Sequence, residues 1–395
     1  MAPGTAAAPA TEAPSRRRKP GKIVIDPTTN RILTTIFAVE LLAIFGLILM
    51  PGVLPAGCPL SPAGAAAALV GACATVYPVI FLVKFCAGHL CAFFSRTALA
   101  HLGDPVRKMK TRRKLEDQSW QLFIHSLMTA LEVFVLFYDG GGERWLHDYT
   151  SLWTPHPRDQ VNGKPSIHLL YLVQLAIWII TCVSHRFLEE RHKDYVMMYI
   201  HHLVTIALVA ISYWQNFLRV GTVVLFLHDC SDIPIDLLKM TNYMKMEGLR
   251  GLFAVEASFL STLAVWGYTR LYLYPVRVVW YGVWYGSREV VTAPGAKGME
   301  SFTKSAGSEF TRGHSPGAVL GDGSFDLVAN LRAMPTHEIL PGYWACGSLL
   351  TALLVMHIIW YALLWRLLFR MAAGEAGHDA GADEYEGDSD DDKED

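Results

Sequence analysis

Eight long apolar stretches dominate this sequence, and each is close to the length that a helix needs to cross a lipid bilayer. About 20 residues of helix span the ~30 Å hydrocarbon layer. Because the apolar runs are continuous and do not alternate with a period of two, they favour helices over a transmembrane β-barrel. The sequence therefore predicts an all-α polytopic membrane protein, a bundle of about eight transmembrane helices. The stretches cover residues 32–54, 67–94, 117–138, 167–187, 196–214, 217–239, 252–275 and 343–365.

The composition agrees with this fold class. Hydrophobic residues make up 52% of the chain and charged residues only 18%, and the mean hydropathy is +0.27. This balance excludes an ordinary soluble protein. The net charge of −2 hides an uneven distribution, since basic residues crowd positions 16–22 and acidic residues crowd positions 383–395. Both termini are therefore expected to be solvated, disordered tails.

Charge in the short loops predicts the orientation and the organisation of the chain. Basic residues recur at the N-terminus and near residues 96–114, 186–193 and 245–250, all on one side of an eight-span bundle. That side is expected to be cytosolic, with both termini on it. A segment at 286–340, rich in Gly, Ser and Thr, is expected on the lumenal side as a lid or a disordered insert. The predicted segments are a basic cytosolic tail (1–30), an N-terminal helix pair with a basic loop (31–113), a catalytic domain (114–370) and an acidic cytosolic tail (371–395).

Ionisable residues inside the apolar stretches are the strongest indication of function. Each Asp, Lys or Arg near the bilayer midplane costs roughly 2.5–3.5 kcal/mol even on the lenient insertion scale, so these residues must face a protein-lined or watery interior. They concentrate on the fifth and sixth stretches. The set consists of His201, His202, Arg219, His228, Asp229, Asp232, Asp236 and Lys239.

Helical spacing separates two groups within this set. His201 and His202 are adjacent, so their side chains point about 100° apart and cannot share one target. On the sixth stretch, the residues from His228 to Lys239 fall within roughly 100° of arc, although Pro234 should bend the last turns. A wall of carboxylates facing imidazoles has the parts of a nucleophile or base with an orienting acid. We therefore expect both helices to meet at one site within the membrane.

Structural interpretations compete with this one. Asp236 and Lys239 are three residues apart and could neutralise one another, while Arg219 lies near a span end and could extend to the interface. A zinc ion held by His201, His228 and an Asp would need only a water besides. The histidine boxes of membrane di-iron enzymes are absent, and the cysteines show no CxxC spacing. No metal ion is predicted.

The order of these residues resembles the longevity-assurance motif of the ceramide synthases, within the wider TLC-domain family. The likeness covers residues 114–275 and continues more loosely to 370. Three features depart from the family pattern. Asp236 stands where the family usually has Glu, Pro234 interrupts the helix, and the 286–340 insert is longer than expected. The motif of paired His, Thr, Ser-Tyr, Asn, Arg-x-Gly, His-Asp, Asp and a distal Lys is matched by His201, His202, Thr205, Ser212, Tyr213, Asn216, Arg219, Gly221, His228, Asp229, Asp232 and Lys239.

This resemblance implies transfer of a fatty acyl group from acyl-CoA to the amine of a sphingoid long-chain base, giving ceramide or dihydroceramide in the endoplasmic reticulum membrane. The implied partners are fatty acyl-CoA, a sphingoid base and the lipid bilayer, with no nucleic acid and no cofactor, since acyl-CoA is a substrate. A homodimer or a small accessory subunit is left open. The implied catalytic residues are His201, His202, His228, Asp229 and Asp232. The implied substrate-binding residues are Arg219, Ser212, Tyr213, Asn216 and Lys239.

Two mechanisms fit these residues. His201 could attack the thioester to form an acyl-imidazole that the amine then displaces, or a histidine could act as general base during direct attack by the amine. The rival functional class is a non-catalytic TLC-domain protein, either a lipid sensor or a membrane-protein-associated factor. A transporter would be expected to show an internal repeat, and the sequence has none.

Overall fold

The computed structural model describes residues 26–93, 99, 105–152, 160–187, 195–285 and 343–372. The expectations for the two tails and for the 286–340 insert lie outside these residues. The described part consists of helices and turns with no strand, so the all-α fold class is confirmed. Its main helices are α1 (Pro27–Ile48), α2 (Pro62–Phe93), α3 (Pro105–Val133), α4 (Pro165–Phe187), α5 (Tyr195–Trp214), α6 (Leu218–Tyr243), α7 (Ala254–Tyr268) and α8 (Tyr343–Ala372).

Each of the eight apolar stretches coincides with one of these helices. Six helical segments, those containing α1 to α5 and α8, are long and apolar enough to cross a membrane by length and composition. The other two differ for identifiable reasons. α6 carries the charged residues of the predicted site, and α7 is regular for only 15 residues before it continues as a π-helix, Thr269–Tyr285. α6 also runs through Pro234 as one helix to Tyr243.

Local sequence explains where helices start and turn. α1 begins at Pro27, a residue whose fixed φ suits the first helical position, and the Asp26 carboxylate accepts a hydrogen bond from Thr29 N at 2.9 Å. Between α5 and α6 the chain reverses within three residues. Asn216 makes this turn with a φ of 58°, a left-handed conformation that Asn adopts more readily than most residues. α5 and α6 are therefore antiparallel neighbours.

The polar helix α6 lies in the middle of the packing. It contacts α3 along its length and also packs against α5, α7 and the π-helical segment. α8 packs against the π-helical segment, α7 and α5. Burial by several neighbours is what a helix with this many carboxylates requires, because lipid could not solvate them.

The two ends of the bundle differ in charge. At one end Arg186 Nε donates to Thr34 Oγ1 at 3.0 Å, and the Lys114 ammonium lies 5.9 Å from the ring centre of Tyr243. The starts of α1 and α3 therefore meet the ends of α4 and α6 here, and we call this the basic end. At the opposite end the loop after α1 meets the loop before α4, with Asn162 N donating to Ala56 O at 2.8 Å.

Candidate active site

A cavity of about 570 Å³ lies in the bundle between α3, α4, α5, α6, α7, the π-helical segment and α8. Toward the basic end α3 and α6 contribute polar side chains to the lining and α8 contributes apolar ones such as Leu363; the lining there includes Asp117, whose side chain is 64% exposed. At the opposite end the lining consists of buried side chains such as Tyr171, Phe217 and Cys346. Among the described residues, the cavity is thus open at the basic end and closed at the other, which we call the blind end.

The cavity brings together most of the residues predicted to form the site. All five predicted catalytic residues line it, and so do two of the five predicted substrate-binding residues, Ser212 and Lys239. Tyr213, Asn216 and Arg219 do not line it. The sequence-based expectation that α5 and α6 meet at one site therefore agrees with the geometry, while the chemical role of each residue stays a prediction.

His201 presents its imidazole to the cavity. No described residue forms a hydrogen bond with this ring, which instead has aromatic neighbours. The ring centre of Trp178 lies 5.6 Å away and that of Trp360 lies 6.5 Å away, both edge to face. An imidazole nitrogen without a hydrogen-bond partner is available either to accept a proton or to attack a carbonyl carbon.

His202 is held more tightly than its neighbour. Its Nδ1 donates to the carbonyl of Met198 at 2.7 Å, and its ring stacks on His185 with 5.3 Å between the ring centres. The rings of His201 and His202 are inclined at 78° to each other. The two imidazoles therefore face different surroundings, as adjacent positions on a helix require, and His201 is the one that no described residue restrains by a hydrogen bond.

His228 belongs to a pair of imidazoles that joins α6 to α8. Its Nδ1 lies 2.7 Å from the carbonyl of Val224, a contact that requires a proton on Nδ1 and leaves Nε2 as an acceptor. That Nε2 lies 3.2 Å from Nε2 of His357, which must then be the donor. The Nδ1 of His357 is buried and has no hydrogen-bond partner among the described residues. The pair fixes the ring orientation of His228 beside the cavity.

Asp232 is bound by an arginine that lies outside the motif. A terminal nitrogen of Arg270 lies 2.5 Å from Asp232 Oδ1, and the other contacts of this guanidinium are Ser231 Oγ at 2.6 Å and the carbonyl of His228 at 3.1 Å. The guanidinium also lies 4.2 Å from the ring centre of Trp266. Arg270 is the second residue of the π-helical segment, a widened form of helix that often occurs at functional sites.

Asp229 faces a second buried carboxyl group. The side-chain amide of Gln174 donates to Asp229 Oδ2 at 2.5 Å and to Glu132 Oε1 at 3.2 Å. Glu132 is fully buried and Asp229 nearly so. Two carboxyl groups bridged by one amide hold Asp229 in a fixed orientation in the cavity wall.

Asp236 is bound from α3 and not by Lys239. Its two oxygens accept hydrogen bonds from Gln118 Nε2 at 2.6 Å and from His125 Nδ1 at 2.7 Å, and no ion pair joins it to Lys239 within the described helices. Hydrogen bonds from α3, and not a direct ion pair with Lys239, therefore hold the Asp236 carboxylate within the described residues. His125 Nε2 is also 4.0 Å from Asp232 Oδ2, so this imidazole connects two carboxylates of the wall.

The three motif residues that do not line the cavity form a polar layer at the blind end. Asn216 donates to the carbonyl of Gln160 at 2.9 Å and accepts from Asn162 at 2.6 Å, while the hydroxyl of Tyr213 contacts His168 Nδ1 at 3.0 Å. Arg219 donates to the carbonyl of Ser151 at 2.7 Å. These contacts hold the α5–α6 turn against the loops at this end, and a role in substrate binding for the three residues stays a prediction.

Gly221 allows close packing at the blind end, which gives a testable expectation. A Cβ at this position would collide with the hydroxyl of Tyr171. Gly221→Ala should therefore destabilise the protein by about 1–3 kcal/mol through overpacking, measured as thermal unfolding of the purified protein in detergent. Gly71→Ala is the matched control, since a Cβ there meets nothing within 4 Å and alanine is the better helix former. Equal effects of the two substitutions would contradict the tight contact at Gly221.

Sequence reasoning missed three residues of the site: His125, Arg270 and His357. Each is an ionisable residue inside an apolar stretch, the same signal that identified the residues of α5 and α6. Each stands on a different element, α3, the π-helical segment or α8, so no local spacing connects it to the motif. Within the described residues no group of three His, Cys, Asp or Glu side chains lies close enough to hold a metal ion.

Comparison with known proteins agrees with this geometry. Residues 114–366, more than half of the chain, match the family model described as the TLC domain. The chain belongs to the TLC-domain family. The matched range of this TLC-domain protein extends from α3 through α8 and contains every element that lines the cavity.

Several relatives of this TLC-domain protein are named ceramide synthases. It is 31% identical over 175 residues to human ceramide synthase 4, covering 44% of this chain and 41% of the relative. It is 31% identical over 192 residues to ceramide synthase hyl-2 of Caenorhabditis elegans, covering 46% and 56% respectively. It is 30% identical over 199 residues to human ceramide synthase 1, covering 46% and 54%. The chain thus spans about half the length of the relatives it matches.

Proposed function

We propose that this TLC-domain protein is a ceramide synthase that transfers a fatty acyl group from acyl-CoA to the amine of a sphingoid base. The observation that carries the proposal is the position of His201 partway along a cavity whose α3 and α6 walls are polar toward the open end and whose blind end is apolar. No described residue forms a hydrogen bond with the His201 imidazole. The relatives named as ceramide synthases support the same assignment.

The cavity matches the two halves of acyl-CoA. A thioester placed at His201 leaves its hydrocarbon tail among the apolar side chains of the blind half, where burial of each methylene contributes about 0.8 kcal/mol. The hydrophilic CoA moiety then remains outside, at the basic end. Basic loop residues favour the cytosolic side of a membrane, so we place the basic end and both termini in the cytosol and the protein in the endoplasmic reticulum membrane.

In the first step, an imidazole nitrogen of His201 attacks the thioester carbonyl. The carbon–sulfur bond breaks, and CoA leaves as a thiolate toward the open end. The attacking nitrogen becomes acylated, and the proton on the other ring nitrogen passes to a neighbouring base. The carboxylates of Asp229 and Asp232 on α6 line the same cavity and can accept this proton. His228 lies beside them, but its Nε2 already accepts a hydrogen bond from His357.

In the second step, the neutral amine of the sphingoid base attacks the acyl-imidazole. The bond between the acyl carbon and the imidazole nitrogen breaks, the amide of ceramide forms, and the proton lost by the amine is taken up through the imidazoles. Asp232 faces this site while bound by Arg270. Its negative charge favours the cationic, protonated form of the imidazole that takes up this proton.

The rival function, a non-catalytic lipid sensor, is not favoured. A lipid-binding scaffold needs an apolar cavity, but it has no use for an imidazole that no described residue binds by a hydrogen bond, in a cavity that Asp229 and Asp232 also line. Unpaired or partly paired polar groups at membrane depth cost free energy, so they are retained where chemistry uses them. Fold alone would not separate the two functions, since the same domain hosts both.

The direct test is ceramide synthesis by the full chain. The protein would be expressed in cells that lack endogenous ceramide synthesis, and microsomes would be supplied with a labelled sphingoid base with and without acyl-CoA. We expect ceramide that depends on both acyl-CoA and the expressed protein. Membrane-inserted protein that binds sphingoid base but forms no ceramide with any acyl-CoA would favour the lipid sensor instead.

A further inference from the structure

We infer that the acyl donor is a long-chain acyl-CoA whose acyl chain has about 14–16 carbons, because one side chain, the floor, closes the cavity about 16 Å below the imidazoles. This depth follows from the rise of a helix, about 1.5 Å per residue. The inference rests on the proposed function and specifies its acyl substrate. It follows from the depth of the blind half, from the side chain that closes it and from the polar layer beyond.

Among the described residues, two neighbouring helices give the same depth. On α5, the last cavity-lining residue is Ser212, eleven residues after His201. On the α6 side it is Phe217, eleven residues before His228. The last described lining residue of α8, Cys346, also lies eleven residues before His357. Eleven residues of helix measure about 16 Å, so the described walls end at one level below the imidazoles.

The floor at this level is Tyr171 from α4. Its side chain is 1% exposed, and its hydroxyl donates to the carbonyl of Leu218 at 3.2 Å and lies 3.4 Å from Ser212 Oγ. The absence of a side chain at Gly221 lets the ring cross against α6, since a Cβ would collide with the hydroxyl. Tyr171 is thus held across the cavity from both adjoining helices.

The space beyond this floor is unsuited to hydrocarbon. It contains the hydrogen-bonded layer of Asn162, His168, Tyr213 and Asn216. His168 also contacts the carbonyl of Asn162 through Nε2 at 2.6 Å. A methylene chain inserted there would separate buried polar groups from their partners, at about 1–3 kcal/mol for each group. The apolar part of the cavity therefore ends at Tyr171.

The depth of the cavity below the imidazoles limits the number of carbons in the acyl chain that it can hold. A staggered hydrocarbon chain of ~1.5 Å bonds advances about 1.25 Å per carbon, so about 16 Å holds about 13 carbons in extended form. The carbonyl carbon at His201 adds one more, and a slight curvature of the chain adds up to two, which gives about 14–16 carbons. A chain of about 24 carbons would extend for roughly 29 Å at the same advance per carbon and would have to pass Tyr171 into the polar layer.

The first measurement is the chain-length profile of the full-length protein in microsomes. Ceramide formation would be measured with one sphingoid base and acyl-CoAs of increasing chain length, each at a subsaturating concentration. We expect a maximum near 14–16 carbons and at least about a tenfold lower kcat/KM at 22 carbons or more, since even a single misfitting methylene can cost about tenfold.

Two variants test whether the floor sets this profile. Tyr171→Ala removes the floor and should move the optimum upward by a few carbons. Leu350→Phe adds volume on α8, seven residues before His357 and about 10 Å below the imidazoles, and should move the optimum downward. Leu170→Ala is the matched control, since Leu170 is a fully buried neighbour of Tyr171 that does not line the cavity. Because each profile is a ratio of rates within one preparation, partial loss of folded protein does not change it.

The outcomes separate the inference from the proposed function. An active wild-type enzyme with its optimum at 22 carbons or more overturns the chain-length inference and leaves ceramide synthesis intact. A wild-type optimum near 14–16 carbons that neither Tyr171→Ala nor Leu350→Phe moves, or that Leu170→Ala moves equally, overturns the assignment of the floor. If no acyl-CoA of any length gives ceramide, the proposed function fails and the inference falls with it.

Discussion

Replacing His201 with alanine is expected to lower ceramide formation by more than about 100-fold, the usual cost of losing a positioned acid or base, while membrane insertion and protein level persist. The physical reason is that His201 is the imidazole in the cavity that no described residue restrains by a hydrogen bond. Its loss removes the attacking nitrogen in one mechanism and the base in the other. The measurement is the rate of acyl-CoA-dependent ceramide formation in microsomes, normalised to the amount of protein.

The matched control is His89→Ala, which removes an exposed imidazole on α2 that does not line the cavity. It should leave the rate within about twofold of wild type, since surface substitutions usually have small effects. Full activity of His201→Ala would remove this residue from the mechanism. His202→Ala would then be the next variant to measure, because its imidazole lines the same cavity.

A trapping experiment distinguishes the two mechanisms. Acyl-CoA added without sphingoid base should leave an acyl group on the wild-type protein that hydroxylamine releases, and His201→Ala should carry none. An acyl-imidazole is expected to react with hydroxylamine because the imidazole is a good leaving group once protonated. Absence of an adduct on active wild-type enzyme would contradict the acyl-imidazole and favour general-base catalysis.

The local parts of the site could be predicted from the sequence, because helical periodicity determines which residues share a face. The spacing of His228, Asp229 and Asp232 placed them on one wall of α6, and the pair at His201 and His202 lay on the adjoining helix. A three-residue turn joins the two helices, so little freedom remained in their arrangement. The eight-helix organisation followed from the lengths of the apolar stretches in the same way.

The partners of these residues could not be predicted, because they depend on which helices pack together. Asp236 shows this most clearly. The sequence shows that Asp236 replaces the Glu usual in the family. It does not show that the Asp236 carboxylate accepts hydrogen bonds from His125 and Gln118 of α3. Likewise, nothing within the motif indicates that Asp232 is paired with Arg270 or that His228 contacts His357.

The motif also did not show which of its residues line the cavity and which hold the α5–α6 turn in place. Tyr213, Asn216 and Arg219 belong to the same sequence motif as the cavity residues, yet they hold the turn at the blind end. Their distance from His201 follows from helix rise, since Tyr213 lies twelve residues, or about 18 Å, farther along α5. A substitution at these positions can therefore impair the enzyme through the floor of the cavity without touching the reacting atoms.

Arg270→Ala should be the most damaging change outside the motif, lowering both stability and activity. It would leave the Asp232 carboxylate in the protein interior with His125, at 4.0 Å, as its one remaining ion-pair partner among the described residues, and it would remove donors to Ser231 and to the carbonyl of His228. Breaking a buried pair by removing one partner costs about 3–5 kcal/mol. We expect the lower part of this range, because the side chain of Asp232 is 27% exposed. Thermal unfolding of the purified protein in detergent, measured beside the ceramide assay, checks this prediction.

Two further variants separate the charge of Arg270 from its geometry. Arg270→Lys keeps a cation but has no planar fork with which to reach Ser231, His228 and Asp232 together, so it should recover more stability than activity. Asp232→Asn combined with Arg270→Gln removes both charges and should unfold closer to wild type than Arg270→Ala does, because no unpaired charge remains. That double variant should still lack activity, since the anion facing the cavity is gone. If Arg270→Ala unfolds at the wild-type temperature, the ion pair does not support the wall of α6, and Asp232 must be held in place by His125 alone.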